Sequence, residues 1–183
     1  MPGPQPLSLS LLALAAVCLA SPVAFGGRVD RAPRTVPSVF FVAKSENRNQ
    51  VHYGIRLDEE CGPSGDSPVF AYWRMFERGP FATEPLLSRE VPAYGLAGQQ
   101  TLQRTEEGSR IVVALRAMPR RPIVIDTAAI GSGCTAKATA PIHGISAVLA
   151  SVFVQLRWPF GVTYLMLSGR APDGREVRER LVD

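Results

Sequence analysis

The feature of this sequence that most constrains its fold is a period-two alternation of apolar residues, which recurs from Val39 onward. In the segments 50–57, 110–116 and 176–181, the apolar residues return at alternate positions. Successive side chains of a β-strand point to opposite faces, so this pattern buries one face of a sheet and leaves the other in water. Four further segments, 39–43, 69–76, 148–156 and 162–167, are apolar on both faces, which is typical of central strands or of strands that line a barrel.

Turn-forming residues separate these segments at 46–49, 62–66, 119–122 and 172–174. Proline presets φ and glycine accepts positive φ, and the chain has 16 of each. Short strands at this spacing predict an all-β, mainly antiparallel fold, either a small β-barrel or a β-sandwich of about 8–10 strands. The segment 84–90 is the exception and predicts one short helix, because Thr83 can cap it, Pro85 suits its first turn and Pro92 ends it.

The first residues have the pattern of an export signal. Residues 7–19 form an uncharged apolar run that is too short for a bilayer span and is followed by small residues. We predict a signal peptide over 1–20, with a cut possible as late as 26, then a flexible tether over 21–37 and a single β domain over 38–183. The alternative is that the apolar run is a buried strand or helix of the domain.

This signal predicts a periplasmic or extracellular protein. A lipid-anchored form through Cys18 is disfavoured, because a lipobox has leucine and a small residue where this chain has Ala15 and Val17. Removal of the signal leaves Cys61 and Cys134. An even number of cysteines in an oxidising compartment predicts a Cys61–Cys134 disulfide, which would close a loop of about seventy residues. Two separate thiols are the alternative.

The charge of the chain favours no particular macromolecular partner. The net charge is +4, but the arginines are scattered without a dense block, which is typical of a solvated surface. We therefore predict no nucleic-acid partner. The longest apolar stretch after the signal, 145–156, is too short to span a membrane, so we predict no span in the mature chain. Docking of the basic surface on an envelope polymer or on anionic lipid stays open.

The sequence contains no complete catalytic signature. Gly131-Ser132-Gly133 lacks the remainder of a phosphate-binding loop, and no pair of ligands has the spacing of a zinc site. We predict no metal and no cofactor. The two histidines fall on the wet face of a strand (His52) and in a turn (His143). A hydrolase or transferase with a dispersed site that uses His52 or His143 is the alternative to a non-enzymatic domain.

Three segments resemble a known family. They are FVAKSENRNQVHYGIRL, SPVFAYWRMFERG and LLSREVPAYGL. They are similar to an exported bacterial family catalogued as domain of unknown function 4833. The residues that carry the similarity are Ser45, Asn47, Arg48, Asn49, Val51, Tyr53, Pro68, Val69, Tyr72, Trp73, Leu87, Ser88, Glu90, Ala93, Tyr94 and Gly95.

This resemblance implies a single exported β domain and no activity. The same residues have a physical interpretation as turns and core, since Tyr72 and Trp73 point to opposite faces of one strand. The functional interpretation is that five side chains meet at one barrel mouth and hold a small polar or anionic ligand or an envelope component. These candidates are Lys44, Asn47, Arg48, Tyr72 and Tyr94.

Overall fold

The computed structural model describes residues 34–157 and 161–182. The predicted signal peptide, Cys18 and the predicted tether as far as residue 33 lie outside the described residues. The described chain is an all-β fold, a strongly curled and mostly antiparallel sheet that forms a half-barrel.

The described ranges contain eleven strands and one short helix, where the sequence predicts about 8–10 strands. In chain order they are β1 (Arg34–Lys44), β2 (Gln50–Leu57), β3 (Val69–Arg74), β4 (Thr83–Pro85), α1 (Val91–Tyr94), β5 (Leu96–Thr105), β6 (Gly108–Leu115), β7 (Ile123–Ile130), β8 (Gly133–Ile142), β9 (Ile145–Arg157), β10 (Gly161–Arg170) and β11 (Glu176–Val182).

The sheet has two arms that meet at strand β9. The first arm is β4-β3-β2-β1 and the second is β5-β6-β7-β8, and both border the same edge of β9. Strand β8 pairs with the start of β9, at 145–148, and β1 pairs with its later part, at 151–154. The β1–β9 pairing is parallel, whereas all other pairings in the described sheet are antiparallel. Strands β10 and β11 extend the sheet from the opposite edge of β9.

The curled sheet encloses one hydrophobic core. The alternation seen in the sequence places every second residue of β2 and β6 in this core, and the rings of Phe40 and Tyr53 stack there at 4.4 Å. Side chains fill this interior rather than line a polar cavity. The largest fully buried side chains are Tyr53, Phe40, Ile55, Leu57, Ile111, Leu115, Ile123, Ile125, Ile142, Leu149, Leu167 and Val42.

A side-chain amide joins the free margins of the two arms. Strand β4 covers only the end of β3, at 72–74, so the backbone of Val69 has no strand beside it on that edge. The Val69 N–H donates to Gln100 Oε1 at 3.0 Å, and Gln100 Nε2 donates to the Val69 carbonyl at 2.8 Å. Gln100 lies where the β5–β6 register shifts, two residues after Gly98, whose φ is 62°. Its amide therefore takes the place of a neighbouring strand's peptide group.

The predicted disulfide is the second link between the arms. Cys61, in the loop after β2, is bonded to Cys134 on β8, with their Cα atoms 5.4 Å apart. The Cys61 carbonyl also accepts a hydrogen bond from Thr127 Oγ1 at 2.9 Å. The loop after β2 is thereby fixed to the β7–β8 hairpin.

Two predicted boundaries differ from the structure. The helix predicted over 84–90 is wrong in position, because Thr83–Pro85 forms the edge strand β4 and the helix is Val91–Tyr94. Pro92 lies in the first turn of that helix rather than at its end, where a missing N–H costs no helical bond. Strand β1 starts at Arg34, inside the predicted tether. Pro37 is tolerated there because it falls in a register shift of β1–β2, and pairing with β9 begins only at Phe41.

Candidate functional site

Trp73 is the centre of a group of polar and aromatic side chains at one end of the first arm. It lies on β3 with its side chain turned into the core, and 5% of it is exposed. A buried indole N–H needs an acceptor. Trp73 Nε1 donates to Glu90 Oε2 at 2.7 Å, and the same carboxylate oxygen accepts the backbone N–H of Leu87 at 2.9 Å. Glu90 thus holds both the indole and the loop that enters α1.

Tyr94, the last residue of α1, packs against this indole. The two rings meet edge to face, with centroids 5.2 Å apart. The Tyr94 carbonyl accepts the hydroxyl hydrogen of Tyr53 at 2.5 Å, which anchors the end of the helix to the core. The chain leaves the helix through Gly95, where a Cβ would lie 2.6 Å from the Val91 carbonyl oxygen.

The side-chain hydroxyl of Tyr94 is buried and has no hydrogen-bond partner. Among the described residues it is the one buried side-chain N or O atom in this condition. Burial, together with the nearby carboxylates of Glu46 and Glu90, raises the pKa of Tyr94 to about 12. The group is therefore a neutral hydroxyl at pH 7, and leaving it unpaired costs about 1–3 kcal/mol.

Lys44, at the end of β1, places its ammonium group over the indole. Its Nζ atom is 5.1 Å from the Trp73 ring centroid and 3.5 Å from Glu46 Oε2. The Lys44 side chain is 18% exposed, whereas that of Glu46 is 61% exposed. We call Lys44, Glu46, Trp73, Glu90 and Tyr94 the Trp73 cluster.

Two of the five predicted ligand-binding candidates, Lys44 and Tyr94, belong to this cluster. Asn47 and Arg48 lie beside it in the β1–β2 turn, where Asn47 Oδ1 accepts the Asn49 N–H at 3.0 Å and Arg48 is exposed. Tyr72 lies on the opposite face of β3, and its hydroxyl donates to the Pro37 carbonyl at 2.9 Å. The five side chains do not meet at one place.

Sequence reasoning did not select three members of the cluster: Glu46, Trp73 and Glu90. One signal was present. Trp73 alternates with Tyr72, so one of the two rings had to be core, and a buried indole calls for an acceptor. The partner Glu90 is 17 positions away and could not be identified without the path of the intervening chain.

The predicted exposure of His52 is wrong. His52 lies on the outer face of β2, but only 5% of it is exposed because Phe41 and Tyr72 flank its ring on the neighbouring strands. Its Nδ1 is 2.7 Å from Ser38 Oγ and its Nε2 is 3.1 Å from Gln50 Oε1. Burial, and secondarily the charge of Arg74, lowers the pKa of His52 to about 4.

His143 lies in the β8–β9 turn, as the sequence predicts. Its φ is 49°, its Nε2 is 2.8 Å from the Arg178 carbonyl, and its backbone N–H donates to Glu179 Oε2 at 2.8 Å. Arg121 donates two further hydrogen bonds to Glu179 and lowers the pKa of that carboxyl. These contacts fasten the turn to β11.

Open grooves mark the described surface, and two of them have volumes of about 470 and 560 Å³. The larger of these two is on the outer face of the first arm and is lined partly by Phe70, Tyr72 and Pro85. Neither lining includes a member of the Trp73 cluster. The Tyr94 hydroxyl is therefore not open to either groove.

Within residues 34–157 and 161–182, no group of three or more histidine, cysteine or acidic side chains is arranged to hold a metal ion. The one helix of this part of the chain has four residues, and none of the described helices could span a membrane.

Comparison with known proteins identifies a family and no individual relative. No curated protein and no solved structure matches the chain. A family model described as "Domain of unknown function (DUF4833)" matches residues 40–180. This range contains β2 to β10, the disulfide and the whole Trp73 cluster. Because the match covers most of the sequence, the chain belongs to the DUF4833 family.

Proposed function

We propose that this protein is a non-enzymatic binding domain of the cell envelope, which holds a small polar ligand at the Trp73 cluster. It acts in the periplasm or outside the cell after an N-terminal signal peptide is removed. The Cys61–Cys134 disulfide supports this location, since such bonds persist in oxidising compartments. The observation that carries the binding proposal is the unpartnered hydroxyl of Tyr94.

A binding function explains why this hydroxyl is retained. Buried polar groups in folded proteins are almost always hydrogen-bonded, and an exception calls for a specific reason. Phenylalanine would fill the same space without the cost of an unpaired hydroxyl. A ligand with an acceptor atom would complete the hydrogen bond when it binds.

The electrostatics of the cluster narrow the class of ligand. Glu46 and Glu90 are both close enough to Tyr94 to raise its pKa, so the surroundings of the hydroxyl are negative. An anion would be repelled there. The cluster therefore favours a neutral or positively charged polar ligand over an anionic one.

The substitution Tyr94→Phe tests the proposal. We expect it to raise the free energy of unfolding by about 1–3 kcal/mol, because it removes an unpaired buried hydroxyl. We expect the same variant to lose ligand binding. Urea unfolding measures the first effect. Thermal shift with glucose, ethanolamine and acetate as neutral, cationic and anionic probes measures the second.

Tyr53→Phe is the matched control, because it removes a buried hydroxyl that does have a partner. We expect it to lower stability by about 1–2 kcal/mol. If Tyr94→Phe destabilises the protein as much as Tyr53→Phe, and no probe separates it from the wild type, the binding proposal is wrong.

A hydrolase or transferase that uses His52 is the second candidate, and the 2.7 Å contact between His52 Nδ1 and Ser38 Oγ favours it. Against it, a catalytic base works best with a pKa near the working pH. His52, with a pKa of about 4, would resist taking the proton of Ser38. The test is hydrolysis of p-nitrophenyl acetate by the wild type and by Ser38→Ala. A wild-type rate at least ten times that of the variant would favour the enzymatic candidate over the binding domain.

A further inference from the structure

We infer that the ligand of the Trp73 cluster is an amino alcohol, a molecule with an ammonium group and a nearby hydroxyl oxygen, and that the ammonium of Lys44 occupies its place in the free protein. This inference rests on the proposed binding function and names the chemistry of its ligand.

The position of Lys44 shows that the cluster accepts an ammonium group. An aromatic face attracts a cation within about 6 Å of the ring centroid, and tryptophan does so best. Lys44 Nζ satisfies this condition at 5.1 Å from Trp73, with Glu46 as its counter-charge. Trp73 is held in place by its own hydrogen bond to Glu90, so this aromatic face is fixed before any ligand arrives.

The ion pair that Lys44 makes with Glu46 is weak enough for a ligand to displace the Lys44 ammonium. The Lys44–Glu46 distance of 3.5 Å is long for a charge-assisted hydrogen bond, and the Glu46 side chain is 61% exposed. Because the acidic partner of this pair is exposed, water screens the interaction, and we expect it to contribute about 1 kcal/mol or less. The lysine side chain has rotatable bonds throughout, so its ammonium can leave for solvent without a change in β1.

The lysine also leaves the cluster incomplete. An ammonium group has three donors and no acceptor, so Lys44 cannot accept the hydrogen of the Tyr94 hydroxyl. A ligand with an ammonium over Trp73 and an oxygen acceptor beside Tyr94 would replace the first contact and add the second. An amino alcohol meets both needs in one small molecule.

The experiment uses Lys44→Met, which removes the ammonium and keeps most of the side chain's volume. Three matched probes are titrated: ethanolamine, propylamine and ethylene glycol. The readout is the NMR shift of the Trp73 indole N–H, measured against an added chemical-shift standard. We expect ethanolamine to bind Lys44→Met at least tenfold more tightly than the wild type, and propylamine and ethylene glycol to bind more weakly than ethanolamine.

Two variants separate this effect from a general change in charge. Lys137→Met removes an exposed lysine of β8, and we expect it to bind ethanolamine like the wild type. In the Lys44→Met background, Tyr94→Phe should make ethanolamine and propylamine bind equally. If Lys44→Met fails to fold, Lys44→Gln serves in its place.

The outcomes distinguish this inference from the proposed function. If Lys44→Met binds ethanolamine no better than the wild type, the amino alcohol inference is overturned. Tyr94-dependent binding of glucose would then leave the binding function standing. If no probe binds in a Tyr94-dependent way, the amino alcohol inference and the proposed binding function are both wrong. Glucosamine and phosphatidylethanolamine vesicles, tested on Lys44→Met, separate a sugar from a lipid source of the same chemistry.

Discussion

His52 illustrates, at the scale of a single residue, how neighbours on adjacent strands decide the state of a side chain. Its position alternates with the core residues of β2, which predicts exposure to water. The rings of Phe41 and Tyr72 lie on either side of it instead, and Ser38 and Gln50 occupy both ring nitrogens. The result is a neutral imidazole that links β1 to β2.

This burial makes stability depend on pH in a defined window. The pKa of His52 is about 4 in the folded protein and about 6.5 when unfolded, so the unfolded chain binds the proton first. The stabilisation by neutral His52 is complete above pH 6.5 and is lost as the pH falls toward 4. We expect the loss to be on the order of 2 kcal/mol, because partial solvation reduces the full effect of the shift. Urea unfolding at pH 7, 6, 5 and 4 measures it.

The variant His52→Phe, which cannot titrate, should flatten the pH dependence between 6.5 and 5. His143→Phe is the matched control and should retain the wild-type slope. An equal slope in the wild type and in His52→Phe would show that folding does not lower the pKa of His52.

At the scale of secondary-structure elements, the hydrogen bonds that join the edges of β3 and β5 come from one side chain. The amide of Gln100 satisfies both the N–H and the carbonyl of Val69. Backbone groups at a sheet edge are otherwise open to water or to another strand.

We expect Gln100→Ala to lower the free energy of unfolding by about 1–3 kcal/mol, because it leaves the Val69 backbone groups without a partner. The amide hydrogen of Val69 should also exchange faster with solvent. Gln99→Ala, at the exposed neighbouring position, is the control and should change neither quantity. Unchanged exchange at Val69 in Gln100→Ala would show that the amide does not join the arms.

The elements that the sequence predicts and those it does not differ in a physical way. Alternation and turn residues predict β2, β6 and β11, since one face of each strand is more buried than the other. They do not predict β5, which is exposed along most of its length, or β8, whose small residues give little contrast between faces. The helix was misplaced because Pro85 and Pro92 each suit a helix start, and the pairing of 83–85 with β3 decides between them.

The sequence likewise predicts only part of the candidate site. Lys44 and Tyr94 could be proposed because each ends a recognisable segment of the chain. Their meeting point at Trp73 depends on strand register and on the loop before α1, neither of which leaves a periodic signal.

At the scale of the whole molecule, the two arms share strand β9 and one hydrophobic core, and Gln100 and the disulfide are further links between them. The disulfide connects positions separated by 73 residues. A cross-link over a loop of that length restricts the unfolded chain strongly.

We therefore expect reduction of Cys61–Cys134 to lower the free energy of unfolding by about 4 kcal/mol. Urea unfolding with and without reductant measures this. A variant with Cys61→Ser and Cys134→Ser together should match the reduced protein and should not respond to reductant. Equal stability of the oxidised and reduced wild type would show that other contacts alone hold the arms together.

The parallel pairing of β1 with β9 has a consequence for how the chain can be assembled. Ser45, just after β1, contacts Leu156, just after the paired part of β9, across 111 positions of sequence. When the chain emerges amino end first, β1 to β4 can form hairpins early, but the inner margin of β1 stays open until nearly all of the remaining chain has arrived. During that interval this margin is a site where another chain can add. A chaperone that acts during synthesis would be needed longest at this margin of β1. A chain truncated before β9 would keep the margin open permanently.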